Sequence, residues 1–226
     1  MDNPAILDQT LLRADIESLV ARGVPAHLRD CQLAEADLAG LDLSDWQFER
    51  CDLRHTSFTG ARLERTRWQS CRGAFAGFAG ADLTDAVFTS SDFNNANVRK
   101  ASLTGARFTG CKLTGADLTD AATMDARFEE TLCVGARLAG QSFRRQTLER
   151  VDFSQADLRK CDFRETVFAQ CSLRDAMLTG ARFDRADLRG ADLGGLRLVD
   201  AALFRGAMIS REQAALLLAE LGLRLG

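Results

Sequence analysis

The chain has no tyrosine, only two histidines and only two prolines among its 226 residues. Each scarcity excludes something. Histidine is the commonest acid–base catalyst, and neither His27 nor His55 adjoins a Ser or Cys as a nucleophile–base pair would. No glycine-rich phosphate loop occurs. No run of 18 apolar residues is present, so nothing reads as a membrane span. Met1-Asp2-Asn3-Pro4 lacks the basic start and apolar core of a secretion signal, which points to the cytoplasm. Charge of one sign is also lacking. The net charge is −3, without the basic footprint that direct nucleic-acid binding needs.

What is present is a period. A large apolar residue recurs at every fifth position from Leu28 to Leu203, which makes 36 positions. Nineteen are Leu, twelve are Phe, and Trp68 and Val98 add two more; Gly73, Thr123 and Cys133 are the exceptions. Of the 14 Phe, only Phe75 and Phe204 lie outside this set. A helix repeats every 3.6 residues and a strand every 2, so period five is neither. Two residues before the large residue sits a small one, as at Ala36, Cys51, Ala81, Ala106, Ala156 and Ala186. A spacing of two puts both on one side of an extended segment. The other three positions are mostly polar, so the chain runs in, out, in, out, out, and must turn before each new copy. Typical units are Ala81-Asp82-Leu83-Thr84-Asp85 and Ala106-Arg107-Phe108-Thr109-Gly110.

These units resemble the pentapeptide repeat family over roughly four fifths of the chain. The resemblance implies an all-β solenoid: a right-handed, quadrilateral parallel β-helix with 20 residues per coil and about nine coils. At β-strand spacing, ~4.8 Å per coil, the rod would be on the order of 40 Å long. Short capping α-helices are expected at both ends. The expected divisions are an N-terminal capping segment at 1–25, the β-helix at 26–207, and a C-terminal capping or dimerisation helix at 208–226. Folded modulo 20, Leu28, Phe48, Trp68, Phe88, Phe108, Phe128, Leu148, Phe168 and Leu188 should stack as one internal ladder.

The same register sorts the chemistry-bearing residues. Cys31, Cys51, Cys71, Cys111, Cys161 and Cys171 occupy the small inward slot and Cys133 a large one, so they read as reduced, structural thiols. Asp37, Asp42, Asp52, Asp82, Asp117, Asp157, Asp187 and Asp192 precede large residues and read as solvated outward positions rather than paired catalytic carboxylates. A convex repeat offers no deep cleft. The expectation is a non-catalytic protein with no metal and no cofactor.

The ends depart from the repeat. Residues 9–22 read as a helix with Leu12, Ile16, Leu19 and Val20 on one face, Asp8 as N-cap and Gly23 as the stop. Near the C-terminus, Ser210-Arg211-Glu212-Gln213 reads as a capping box. Ala214, Leu217, Leu218 and Leu221 follow as an apolar stripe, with Leu216 and Ala219 off it. That surplus suits either a monomeric cap or a two-fold, end-to-end homodimer through Leu216, Leu217, Leu218, Leu221 and Leu223. The stretch Ile209–Leu218 with Leu221-Gly222-Leu223 is similar to the close of the quinolone-resistance and albicidin-resistance pentapeptide proteins. In those families the C-terminal helix joins two solenoids into a rod that imitates duplex DNA and binds DNA gyrase, protecting it from an inhibitor. The unbroken register leaves out the loops that many plasmid-borne members carry. The N-terminal helix leading into Gly40-Leu41-Asp42-Leu43-Ser44 looks like pentapeptide repeat proteins of type VI secretion loci, which implies an adaptor role in a secretion or effector complex as the alternative.

Two irregularities remain. Thr123, Cys133, Gln141 and Gln146 put polar or undersized groups inside, while Met124, Leu132 and Val134 put apolar ones outside. Either a local bulge or a partner surface would account for them, and the coils from 121 to 150 should be the least regular. Gly73 leaves a hole, which nominally outward Phe75 either folds back over or leaves open while facing a partner. Phe75, Met124, Leu132 and Val134 are therefore the candidate partner surface.

Overall fold

A computed structural model describes residues 5–195, 202–220 and 222. The chain is a right-handed parallel β-solenoid of about nine turns, with one helix near each end. It divides into two compact units, Met1–Leu132 and Cys133–Gly226.

In unit 1 every coil has four walls. The first is built from β2 (His27–Arg29), β3 (Gln47–Glu49), β4 (Arg67–Gln69), β5 (Val87–Thr89), β6 (Arg107–Thr109) and β7 (Arg127–Glu129), all parallel and in register. The other walls are columns of parallel bridges: Gln32 to Leu132, Asp37 to Asp117, and Asp42 through Arg62, Asp82 and Ser102 to Ala122. Unit 2 repeats the pattern with β8 (Thr147–Glu149) beside β9 (Val167–Ala169), β10 (Cys171–Ser172) beside β11 (Ala191–Asp192), and the columns Arg137-Asp157-Met177 and Ser142-Asp162-Arg182.

The corners explain the period. Every fifth residue from Asp30 to Arg185 has positive φ. That left-handed conformation reverses the chain in a tight turn, and it suits Gly, Asn and Asp best. The Asp before each large residue supports the turn. All eight carboxylates named above accept the backbone N–H two residues on, at 2.9–3.2 Å. They are local turn caps, a role beyond simple solvation. Asp52 is only 2% exposed, and Arg54 also grips it with two nitrogens.

The inward slots are filled as the pattern predicts. In unit 1 the ladder Phe48-Trp68-Phe88-Phe108-Phe128 stacks with ring centroids 4.1–5.5 Å apart and planes within 8°. Small inward slots hold donors aimed at the preceding coil: Thr56 Oγ1 donates to Leu33 O, and the Cys51, Cys71 and Cys161 thiols donate to Leu28, Phe48 and Leu138 O. That is why Ser, Thr and Cys alternate with Ala there. Burial pushes the Cys111 thiol up to about 11 and Cys161 up to about 12. Among the described residues, no buried side-chain nitrogen or oxygen lacks a hydrogen-bond partner.

Several expectations fail. The coils from 121 to 150 are ordinary: positive φ falls at 125, 130, 135, 140, 145 and 150, and the strands and bridges keep their places. Gln141 is buried and Gln146 half-buried without a bulge. The hole at Gly73 is closed by the next coil, because a Cβ built there would run into the Phe93 ring. The last coil slips. Elsewhere a large residue's N–H donates to the carbonyl 19 residues on, as Phe163 does to Arg182. Phe183 donates to Leu203 O and Leu188 to Met208 O, 20 residues on. One extra residue has entered, so Phe204 rather than Leu203 stacks on Phe183, at 4.7 Å.

The N-terminal helix α1 (Arg13–Val20) is shorter than expected and starts after Leu12, not Asp8. Asp15 accepts the Leu12 N–H at 2.9 Å. Asp8 instead takes a left-handed turn after β1 (Ile6–Leu7), which pairs with β2 and begins a partial coil. Ile16 and Leu19 are buried as predicted, while Leu12 is exposed.

Candidate protein-binding surfaces

The two units carry opposite charge. Unit 1 has 20 acidic and 14 basic residues, net −6, whereas unit 2 has 12 and 15, net +3. The difference concentrates on the fourth wall. In unit 1 that wall presents Asp42, Asp45, Glu64, Asp82, Asp85 and Asp125 against Arg62 and Arg65, net −4. In unit 2 it presents Arg144, Arg145, Arg164, Arg182 and Arg185 against Asp162, Glu165 and Asp184, net +2.

Local pairing tunes these charges. Arg65 binds Asp45 through two nitrogens at 2.8 Å, and Arg62 lies 3.3 Å from Asp42 and 3.4 Å from Glu64. The Ser44 hydroxyl and N–H lower the Asp42 pKa, and the Arg65 guanidinium lowers that of Asp45. In unit 2, Arg144 and Arg145 share Glu165 at 3.1 and 3.0 Å, which lowers its pKa. Arg164 binds Asp162, lowering its pKa likewise.

The expected partner surface does not converge on one patch. Phe75 is 54% exposed and stacks on His55, with centroids 5.1 Å apart and parallel planes. Both occupy left-handed corners, at φ +61° and +59°. Met124 is exposed on the acidic wall, and Leu132 is exposed at the end of the Gln32 column. Val134 is half-buried. Sequence reasoning missed the fourth wall because its charges are scattered along the chain. Counting them at one position of the 20-residue coil would have exposed it.

At the C-terminal end the capping box is present. Ser210 N–H donates to Gln213 Oε1 and Gln213 N–H to Ser210 Oγ, opening α2 (Arg211–Glu220). Gln213 Nε2 also donates to Leu188 O and Ala191 O at 2.7 and 2.6 Å, pinning the helix onto the last coil. Ala214, Leu217 and Leu218 are half-buried; Leu216 is 69% exposed and Ala219 is exposed. Leu221 and Leu223 lie outside the described residues. Among the described residues no group of His, Cys, Asp and Glu could hold a metal ion, and no helix is long and apolar enough to cross a membrane.

Comparison with known proteins agrees with this geometry. The family model for pentapeptide repeats matches eight copies, within residues 26–67, 78–120, 124–164, 147–183, 156–195 and 168–203. Among solved structures, a trypsin-treated variant of QnrB1, a plasmid-mediated fluoroquinolone resistance protein, superposes with a TM-score of 0.67 at 22% identity. The match covers 96% of this chain and 99% of that one. Full-length QnrB1 gives 0.66 at 21%, covering 97% of both chains. At such identity the likeness is one of fold. No curated protein matches the chain by sequence.

Proposed function

The chain belongs to the pentapeptide repeat family, and on that premise we propose that it is a non-catalytic, cytoplasmic protein that binds DNA gyrase in place of duplex DNA and shields it from an inhibitor. The observation that carries this reading is the acidic wall of unit 1. Six carboxylates against two guanidiniums on parallel coils present a net negative face, the feature a DNA-binding surface recognises on phosphates. The overall charge of −3 obscures it, because unit 2 is basic. The α2 helix supports the second part of the proposal, a homodimer through Leu216 and its neighbours. Leu216 exposes an apolar side chain that the last coil does not use. Phe75 and His55 form a separate exposed corner for partner contact. No feature among the described residues favours the secretion-scaffold alternative.

The test is gyrase supercoiling with and without a quinolone. The protein should inhibit supercoiling or rescue it from the drug at micromolar concentration. Absence of both effects would end this reading.

A further inference from the structure

On the fourth wall of unit 1, three successive coils carry Asp45, Arg65 and Asp85 at their left-handed corners. On the fourth wall of unit 2, the three coils carry Arg145, Glu165 and Arg185 at the corresponding corners. The signs are −, +, − and +, −, +. The inversion extends inward across the middle coils. Arg62, Glu64 and Arg65 of unit 1 correspond to Asp162, Arg164 and Glu165 of unit 2, opposite at all three positions. Over these three coils the two walls carry opposite charge at six of nine corresponding positions and like charge at none.

We propose that the acidic fourth wall of unit 1 in one copy docks on the basic fourth wall of unit 2 in a second copy of this chain. Two sheet walls laid face to face bring corner against corner when their strands run in the same direction and their rod axes run antiparallel. In that arrangement Asp45 meets Arg185, Arg65 meets Glu165 and Asp85 meets Arg145. Arg62 meets Asp162, Glu64 meets Arg164 and Asp42 meets Arg182. No like charges meet among these nine wall positions. The remaining three pairings put Ser44, Thr84 and Ser142 against Asp184, Arg144 and Asp82. Each wall also holds charge that its own coils leave unmatched. Among the described residues Asp85 has no ion-pair partner, and Arg144 and Arg145 share one carboxylate. Charge complementarity of this kind fixes register and partner choice more than affinity, and salt weakens it. Such a contact would also cover the acidic wall while no other partner holds it.

The repeat itself supplies the variants. All six corners have φ between +55° and +66° and already accept Asp, Glu and Arg. One variant carries Asp45→Arg, Arg65→Glu and Asp85→Arg; the other carries Arg145→Asp, Glu165→Arg and Arg185→Asp. Each retains its corner ion pair, Asp45–Arg65 or Arg145–Glu165, in reversed polarity, and the second loses the Arg144–Glu165 pair. Self-association is measured by sedimentation equilibrium at about 50 mM and about 500 mM NaCl, in a Leu216→Glu background that would remove the proposed end-to-end contact, with the Leu216-intact chain measured alongside. Circular dichroism checks the fold. The parent protein should self-associate at low salt and weaken at least about tenfold at high salt. Each variant alone should lose association, and an equimolar mixture should regain it. A parent that is monomeric or indifferent to salt, or a mixture that stays dissociated, overturns the proposal. Association present only with Leu216 intact and unmoved by salt would support the helix dimer and overturn this one.

Discussion

Units 1 and 2 share one repeat but spend their variable positions differently. In unit 1 the aromatic ladder stands on the first wall, from Phe48 to Phe128. In unit 2 it stands on the fourth: Phe143, Phe163, Phe183 and Phe204 stack at 4.7–5.1 Å. In unit 1 the residue two after the capping Asp is Ser or Thr at Asp42, Asp82 and Asp117, where its hydroxyl also donates to the carboxylate. In unit 2 it is Arg at Asp157, Asp162 and Asp187. A guanidinium does the hydroxyl's job there and adds positive charge outside. The contrast shows that the inward pattern sets the fold while the residue two after the Asp is free to set the sign of a surface.

The largest effects should come from the ladders. Phe108→Ala in unit 1 and Phe163→Ala in unit 2 should each cost about 3–5 kcal/mol in denaturant unfolding. Because each coil contacts only its neighbours, hydrogen exchange should accelerate mainly within the mutated unit. Equal acceleration throughout the chain would erase the distinction between the two units.

Next come the buried turn caps. Asp52→Ala should cost about 1–3 kcal/mol, since it strips a bidentate partner from Arg54, a nearer charge from Arg72 and an acceptor from the Arg54 N–H. The same groups set the acid limit. Arg54 lowers the pKa of Asp52, and Arg159, Arg164 and Arg189 lower those of Asp157, Asp162 and Asp187. A depressed folded pKa means stability that is complete above the unfolded value, about 4. It is lost as pH falls through the folded values. Thermal melts should therefore be flat from pH 7 to about 5 and drop below about 4. Unit 2, richer in Asp–Arg caps, should lose hydrogen-exchange protection at the higher pH of the two.

Smaller effects follow at single slots. Phe75→Gly should stay within about 1 kcal/mol of the parent, because relief of the left-handed corner offsets the lost stack on His55. Val98 sits beside a void of about 10 Å³ among Phe78, Phe93 and Leu103. Val98→Leu should gain up to about 0.8 kcal/mol, the value of one buried methylene. A loss there would mean that the void in unit 1 is too small to fill.

Much of this was legible in the sequence. The fifth-residue period gave the walls, the inward slots and the first ladder directly, because a solenoid converts sequence spacing into spatial stacking. Ser210 and Gln213 announced the α2 cap for the same reason: the interaction is local. What the period could not carry was anything depending on neighbours 20 residues away. Phe93 filling the space over Gly73 and Phe204 replacing Leu203 are both choices made between coils. The buried Gln141 looked like a defect because its hydrogen bonding is supplied by the surrounding fold. The Asp caps were hidden by their ordinary outward position; their signal was the Ser, Thr or Arg two residues on.

The most direct test of the functional claim is gyrase supercoiling with the wall itself altered. Asp85→Arg with Asp125→Arg takes the unit 1 wall from −4 to neutral, and Arg145→Asp with Arg185→Asp alters only unit 2. The account predicts that the parent and the unit 2 variant inhibit or protect gyrase at micromolar protein, while the unit 1 variant loses at least about tenfold in potency. Equal potency of the two variants, or no effect of the parent, would contradict it.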